Sequence, residues 1–416
     1  MPLQSYEMKD SGVEWIGEIP KGWYASRLKF LLQCPLQYGA NASGVEYDIK
    51  LPRYIRITDI TQDNRLSNTD MLSLPIDEAS DYILEDKDIL LARSGATAGK
   101  AFLYRSKYGL SAFAGYLIRA KVDNCKVLPE YVYYSTLGTG YDQWKTLIAV
   151  QATIPNIGAN KYNEYSVPVP SLSEQSAIVE YLDEKCAAID EIIAEAKATI
   201  DEYKSWKASV IFEAVTKGLN PNAEMKDSGV EWIGRMPKHW PICKIKYLCS
   251  MQAGKNLTSE DIQDSGTYPV YGGNGLRGYY SSYNQNRSCL LVGRQGALCG
   301  NVHYVSGKFW ATDHAVVTIP SSLEQNRHLY YLLVCMNLNQ YALNTAAQPG
   351  LSVTLIQNLP TLLTPLTEQT AIAAYLDEKC AAIDGVIAEK EALIGELESY
   401  KKSLIFETVT GKRRVC

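Results

Sequence analysis

The sequence predicts an α+β protein built as an internal repeat, in which two β-rich domains are separated by two long antiparallel helices. Two observations carry this prediction. Residues 8–23, MKDSGVEWIGEIPKGW, return as residues 225–240, MKDSGVEWIGRMPKHW, and the decapeptide YLDEKCAAID at 181–190 returns unchanged at 375–384. The stretches between these blocks share little visible sequence. We therefore expect a pseudo-two-fold arrangement in which a duplicated frame holds two different inserts.

The repeated blocks divide the chain into four segments. We expect a first β-rich domain over residues 1–170 and a first long helix with its linker over residues 171–224. A second β-rich domain is expected over residues 225–366, followed by a second long helix over residues 367–416. Each β-rich domain begins with its copy of the repeated opening block.

The repeated tails are predicted to be helices that pack against each other. Between Ser173 and Lys217 there is no proline or glycine, and apolar residues recur at heptad spacing. The predicted seam consists of Ile178, Leu182, Ile189, Tyr203, Val210, Ile372, Leu376, Ile383, Leu397 and Leu404, with Ile192, Trp206, Val386, Leu393 and Tyr400 on the alternating row. Pairing within one chain follows from the duplication, and a coiled coil between two chains stays open as an alternative.

Local signals mark both ends of each predicted helix. Ser173 and Thr367 are the expected N-caps, ahead of Glu174 and Glu368. Glycines at 218 and 411 follow the last apolar residues, which is typical of helix C-caps.

The inserts are predicted to be β-rich. Short runs of β-branched and apolar residues are separated by Gly, Asn, Ser and Pro, as in strands joined by turns. The clearest runs are YIRITDI at 54–60, DILLAR at 88–93, GYLIRA at 115–120, CLLVGR at 289–294 and HAVVTI at 314–319.

Composition excludes several classes of protein. The formal net charge of −5 argues against a wholly basic nucleic-acid coat. The 10 cysteines and four histidines form no close cluster, so reduced thiols and no metal site are expected. The sequence begins without a secretory signal pattern, and no apolar run approaches the roughly 20 residues of a membrane span. We expect a cytoplasmic protein without a membrane partner.

The loop SGATAGK at 94–100 is the feature most similar to a phosphate site. Gly95 and Gly99 are one residue too close for a nucleotide-binding P-loop, and Ala101 stands where magnesium needs Ser or Thr. A nucleotide-binding enzyme is therefore the disfavoured alternative. Such a loop also suits a DNA phosphate, and the second insert has a similar one, GRQGALCG at 293–300. Because no catalytic set stands out, the sequence favours recognition over catalysis.

These segments together resemble one known family. The opening block MKDSGVEWIGEIP, the helix starts PSLSEQSAIVEYLDEKCAAID and PLTEQTAIAAYLDEKCAAID, and the closing phrases SVIFEAVTKG and SLIFETVTGK closely resemble the specificity subunit of type I restriction-modification systems. The phrases LPRYIRITDIT and DILLARSGATAGKAFL look like one type of target-recognition domain, and YPVYGGNGLRGYY with VGRQGALCGNVHYV and ATDHAVV looks like another.

The resemblance implies a function within a larger complex. In that family each target-recognition domain reads one half of a split, asymmetric site on double-stranded DNA, and the two helices dock two methyltransferase subunits. Those subunits bind S-adenosylmethionine and methylate adenine, while separate restriction and translocase subunits use ATP and Mg to cut unmodified DNA. The resemblance thus implies no cofactor and no catalytic residue on this chain. A specificity chain that serves a fused methyltransferase-nuclease is the nearest alternative.

The family supplies no general set of base contacts, so candidates come from residue type. Arginine and glutamine make bidentate contacts to guanine and adenine edges, and lysine and arginine bind phosphates. The predicted DNA contacts are Arg53, Arg56, Arg93 and Lys100 in the first insert and Asn274, Arg277, Arg294 and Gln295 in the second.

Overall fold

The structure, a computed structural model, describes residues 7–61, 63–149, 156–296, 298–322, 325–342 and 350–415. The chain forms two compact units. The first consists of residues 1–196 with 392–416, and the second consists of residues 197–391. Each unit therefore contains one insert and a part of each long helix. Among the described residues, none of the helices combines the length and the apolar character that crossing a membrane requires.

The first unit holds an insert of short strands and short helices. Its strands are β1 Met8–Asp10, β2 Glu18–Pro20, β3 Tyr24–Arg27, β4 Gln37–Tyr38, β5 Val45–Glu46, β6 Arg53–Ile55, β7 Leu72–Ser73, β8 Ile89–Ala92, β9 Ala101–Leu103, β10 Ser111–Phe113, β11 Leu117–Ala120 and β12 Ser166–Val169. Its helices are α1 Ile76–Ala79, α2 Pro129–Ser135, α3 Thr139–Ala149 and α4 Ala159–Asn163, and the first long helix, α5, spans Leu172–Lys217.

The second unit has more regular strands. They are β13 Met225–Asp227, β14 Arg235–Pro237, β15 Ile242–Lys244, β16 Cys249–Ala253, β17 Tyr268–Gly272, β18 Gly275–Tyr280, β19 Gln285–Asn286, β20 Cys289–Gly293, β21 Val302–Val305, β22 Lys308–Ala311, β23 Ala315–Pro320 and β24 Pro360–Leu362. The helices are α6 Asn326–Cys335 and α7 Val353–Asn358, and the second long helix, α8, spans Leu366–Val409. The predicted α+β class and the two long helices are confirmed.

The two inserts share the strand order of one sheet and a parallel pair in a second sheet, despite their different sequences. A four-stranded antiparallel sheet has the order β4-β11-β8-β9 in the first unit and β16-β23-β20-β21 in the second. A second four-stranded sheet contains one parallel pair in each unit, β6 with β10 and β17 with β22. The inserts are therefore variants of one domain.

A glycine marks the same close approach in both inserts. A Cβ atom on Gly39 would lie 2.4 Å from the carbonyl oxygens of Phe113 and Ala114, and one on Gly254 would lie 2.2 Å from the Thr312 oxygen. Real Cβ atoms do not come this close to a backbone oxygen. Both positions therefore need glycine so that the strand can pass the neighbouring loop.

The long helices are antiparallel, and both contribute to the core of each unit. In the first unit, Ile178 and Leu182 of α5 share a buried cluster with Leu404 of α8. In the second unit, Ile211 of α5 shares a cluster with Leu376 of α8. Because the beginning of one helix packs with the end of the other, each unit has a seam built from both copies of the repeat.

The seam uses a different second row from the one expected. Among the predicted seam residues, Ile178, Leu182, Ile189, Ile372, Leu376, Ile383 and Leu404 are buried, and Tyr203, Val210 and Leu397 are half-buried. The buried residues that complete the seam are Cys186, Ile193 and Ile200 in α5 and Cys380 and Ile387 in α8.

The expected second row was wrong at four of its five positions. Ile192, Trp206, Leu393 and Tyr400 are exposed, at 46%, 53%, 38% and 51%, and Val386 is half-buried. The buried side chains in α5 alternate steps of four and three residues from Leu182, so the seam runs through Ile193 rather than Ile192.

The predicted C-caps of the two long helices are confirmed, but their predicted N-caps are not. Gly218 and Gly411 have φ angles of 72° and 71°, as expected for C-caps. The N-caps expected at Ser173 and Thr367 are wrong, because the helices begin earlier, at Leu172 and Leu366. The Glu174 N–H is 3.3 Å from the Ser171 hydroxyl, and the Ser171 N–H donates to the Glu174 carboxylate at 3.0 Å.

We predict that Gly254→Ala destabilises the second unit. The added methyl group would overlap the Thr312 carbonyl oxygen, and forced overpacking costs about 1–3 kcal/mol. The melting temperature by calorimetry is the measurement. Gly385→Ala in α8 is the matched control, because its Cβ meets no atom within 4 Å, and a helical Gly→Ala change stabilises by roughly 0.5–1 kcal/mol. Equal melting temperatures for the two variants would contradict the prediction.

Candidate DNA interface

Each unit carries a glycine loop at the same place in its antiparallel sheet. The first glycine loop, residues 93–100, connects β8 with β9, and the second, residues 294–301, connects β20 with β21. Residue 297 lies outside the described residues. Each loop joins two antiparallel strands at the end of a fully buried strand, so its residues emerge at one edge of the sheet.

The backbone hydrogen bonds of the two loops match one by one. The bonds of the first loop are Ala92 N–H to Lys100 O (2.7 Å), Arg93 N–H to Tyr116 O (2.9 Å), Ala98 N–H to Gly95 O (3.0 Å), Gly99 N–H to Ala92 O (2.9 Å) and Ile157 N–H to Arg93 O (2.8 Å). The equivalent bonds of the second loop, in the same order, are Gly293 N–H to Asn301 O (2.8 Å), Arg294 N–H to His314 O (2.9 Å), Cys299 N–H to Gly296 O (3.0 Å), Gly300 N–H to Gly293 O (2.8 Å) and Leu351 N–H to Arg294 O (2.9 Å). This matching makes the two loops equivalent residue by residue.

Two glycines in each loop have positive φ angles, which explains their spacing. Gly95 and Gly99 have φ of 79° and 87°, and Gly296 and Gly300 have φ of 86° and 88°. Residues that have a Cβ atom rarely adopt this backbone conformation. The G-x-x-x-G spacing of SGATAGK therefore builds a tight hairpin.

The first loop places its two predicted basic residues differently. The Arg93 guanidinium lies over the ring of Tyr38, 5.2 Å from its centre, and is half-buried. The Lys100 ammonium donates to the carbonyl oxygens of Ile60 and Thr61. Burial lowers the pKa of this ammonium from its ordinary value. Arg93 thus lies beside an aromatic ring, whereas Lys100 connects the loop to the segment that contains Ile60 and Thr61.

Arg53 and Arg56 are engaged by the protein itself. Arg53 is buried and donates to the Ser67 carbonyl oxygen. Arg56 forms an ion pair with the buried Asp59 at 2.7 Å, and hydrogen bonding to that carboxylate raises the pKa of Arg56. These contacts hold the segment after β6 in place. Arg53 is buried, and the half-buried Arg56 is bound to Asp59 and to the Asp70 carbonyl oxygen, so neither residue is included in the proposed interface.

The second insert presents three of its predicted residues at the surface. Asn274, Arg277 and Gln295 are exposed, and Arg294 is half-buried. The Asn274 amide oxygen accepts a hydrogen bond of 3.1 Å from the side chain of Asn301. This bond joins the glycine loop to the turn between β17 and β18, in the way that Lys100 joins the first loop to the segment after β6.

The sequence analysis missed two residues of this interface. Tyr38 and Asn301 were not singled out, although each contacts a predicted residue. It also did not align the loops residue by residue. The shared pattern R-x-G-A-x-x-G at 93–99 and 294–300 was the available signal, but spacing alone does not show that two loops have the same hydrogen bonds.

Comparison with known proteins gives a consistent result. The family model for the type I restriction modification DNA specificity domain matches residues 43–202 and again residues 237–393. The EcoprrI specificity subunit of Escherichia coli is 27% identical over 337 residues, which cover 78% of this chain and 79% of that protein. The StySPI specificity subunit of Salmonella potsdam is 23% identical over 423 residues, covering 95% of this chain and 90% of that protein.

A solved structure also shares the fold. A chain from a study of complex assembly and conformational transition in a type I R-M system matches with a TM-score of 0.68 at 15% identity. The match covers 95% of this chain and 99% of that one. The family model covers most of the sequence in two copies, and each copy spans most of one insert and part of the helix that follows it. The chain belongs to the family of type I restriction-modification specificity subunits.

Proposed function

We propose that this chain is the sequence-reading subunit of a type I restriction-modification complex and that each insert reads one half of a split, asymmetric DNA site. The observation that carries the proposal is the pair of glycine loops, which have the same backbone and different exposed side chains. Equivalent loops suit the same task on DNA, and different side chains suit different sequences. Lys100, the lysine of SGATAGK, donates to backbone carbonyl oxygens. This contact favours DNA recognition over nucleotide binding.

The proposal includes the chemistry that the chain leaves to other subunits. Adenine methylation with S-adenosylmethionine belongs to two methyltransferase subunits, and cleavage with ATP and Mg belongs to restriction and translocase subunits. The chain itself contributes DNA binding and the surfaces on which these subunits assemble.

The long helices are the proposed docking surface for the methyltransferase subunits. Trp206 of α5 and Tyr400 of α8 occupy equivalent places in the repeat and are 53% and 51% exposed. Tryptophan and tyrosine are enriched at the centres of protein interfaces, because they bury much area with few rotatable bonds. A duplicated aromatic at equivalent positions suits two copies of one partner.

Exchange of an insert tests the proposed reading of half-sites. Residues 241–366 are replaced by the matching insert of another specificity subunit, and the methylated motif of the complex is mapped by sequencing. We expect one half of the motif to change and the other half, with the methylated adenine in it, to persist. A change in both halves, or in neither, contradicts independent reading.

Removal of the exposed aromatics tests the docking surface. We expect Trp206→Ala and Tyr400→Ala each to weaken the binding of one methyltransferase subunit, by about tenfold or more, as for an interface hot spot. Native mass spectrometry of the assembled complex counts the subunits bound. Leu110→Ala is the control, because Leu110 is 57% exposed but lies in the first insert. Full occupancy in the double variant would show that these aromatics do not form the docking surface.

The repeat also predicts that a fragment of residues 1–224 forms a symmetric dimer. Asp190 pairs with Lys401 at 2.6 Å, and the equivalent pair, Lys207 with Asp384, is at 2.7 Å. The fragment lacks Lys401, but Lys207 of a second copy is its repeat equivalent. A dimer would therefore contain two Asp190–Lys207 pairs.

Charge reversal gives this prediction a control. We expect Asp190→Lys to weaken the fragment dimer by roughly tenfold or more, because it creates two like-charge contacts. Asp190→Lys combined with Lys207→Asp should restore dimerisation, measured by analytical ultracentrifugation. A fragment that stays monomeric, or a double variant that fails to recover, argues against pairing through this seam.

A further inference from the structure

We infer that Gln295 and Ser94, which are equivalent residues of the two glycine loops, determine how the two half-sites differ, and that Gln295 reads an adenine. This inference rests on the proposed DNA recognition and goes further by assigning one side chain in each loop. Its starting point is the matching of the loops by five pairs of backbone hydrogen bonds.

The arginine that begins each loop cannot distinguish the half-sites. Arg93 and Arg294 are the same residue with the same backbone hydrogen bonds. A group common to both loops contributes equally to both, as a contact to phosphate or to a shared base does. Within the loops, discrimination must therefore come from the positions at which they differ.

The two loops differ in residue type at four described positions. The surroundings of each position show which side chains can offer a hydrogen-bonding group to a base. Lys100 and Asn301 are engaged in bracing contacts with the neighbouring segments. Cys299, which is equivalent to Ala98, is buried. Thr97 and Leu298 are exposed, but the leucine has no hydrogen-bonding group. Ser94 and Gln295 remain as the pair that offers different hydrogen-bonding groups.

The chemistry of this pair fits a difference in base reading. Gln295 is exposed, and a glutamine amide matches the N6 and N7 groups of adenine in a bidentate contact. Ser94 is half-buried, and its single hydroxyl fits several bases. The second loop should therefore demand an adenine at one position where the first loop is more permissive.

The loop holds this side chain in a fixed place. Gln295 forms an antiparallel β-bridge with Gly350, outside the loop, and Ser94 forms an equivalent bridge with Asn156. The flanking glycines with positive φ close the turn. A side chain on a fixed backbone reaches the same base edge each time, which sequence reading requires.

The test uses the full-length chain in its complex with the methyltransferase subunits. Methylated adenines are mapped over a library of randomised sites for the wild type, Gln295→Ser and Ser94→Gln. We expect Gln295→Ser to lose about ten- to a hundredfold of preference for adenine at one position of the second half-site and to leave the first half-site unchanged. Ser94→Gln should narrow one position of the first half-site only. Each variant is the control for the other.

A second variant separates base reading from loss of structure. Gln295→Asn keeps the amide on a shorter side chain, so the variant complex should bind the same motif more weakly. Its affinity and base preference are measured by competition with base-substituted duplexes. If Gln295→Ser and Ser94→Gln leave a split wild-type motif unaltered, or if one alters both halves, the assignment is overturned while the proposed function stands. A wild-type complex that shows no split motif would overturn the proposed function itself.

Discussion

The buried seam between α5 and α8 is the contact on which the rest of the structure depends. Leu182 and Leu404 lie far apart in the sequence, yet both belong to the core of the first unit. A single amphipathic helix of about 46 residues, roughly 69 Å long, would leave its apolar row in water. Pairing removes that exposure, and the same pairing brings the end of the chain to its beginning. The first unit is therefore complete only when the last helix has been added.

The duplicated frame repeats its contacts as well as its sequence. The Trp23 indole N–H donates to the Glu174 carboxylate at 3.2 Å, and the equivalent Trp240 donates to Glu368 at 3.3 Å. Each contact fixes the opening block of a repeat to the start of its own helix. Because the frame supplies the same anchors twice, an insert can change in length and sequence without disturbing the helix beside it. This is the physical basis for a constant frame with variable inserts.

The sequence predicted the fold class, both long helices and their C-caps, because periodicity and glycine placement are local signals. It was less accurate where two residues compete for one role. Ser171 and Ser173 are both suitable N-caps, and the choice of Ser171 follows from its contacts with Glu174. Ile192 and Ile193 are adjacent apolar residues, and only the partner helix decides which of them is buried.

The proposed reading of a DNA site requires a fixed backbone and a variable surface, and the two glycine loops separate these requirements. Backbone geometry is fixed by Gly95 and Gly99 in the first loop, where a Cβ on Gly99 would also collide with the Lys145 side chain at 2.3 Å. The surroundings of the shared arginine differ, because the sheet register places Ala253 where the first unit has Tyr38. An arginine held over a tyrosine ring has less freedom than one beside an alanine. The shared arginine therefore has less freedom in the first unit, while its guanidinium group and the path of its loop are the same in both units.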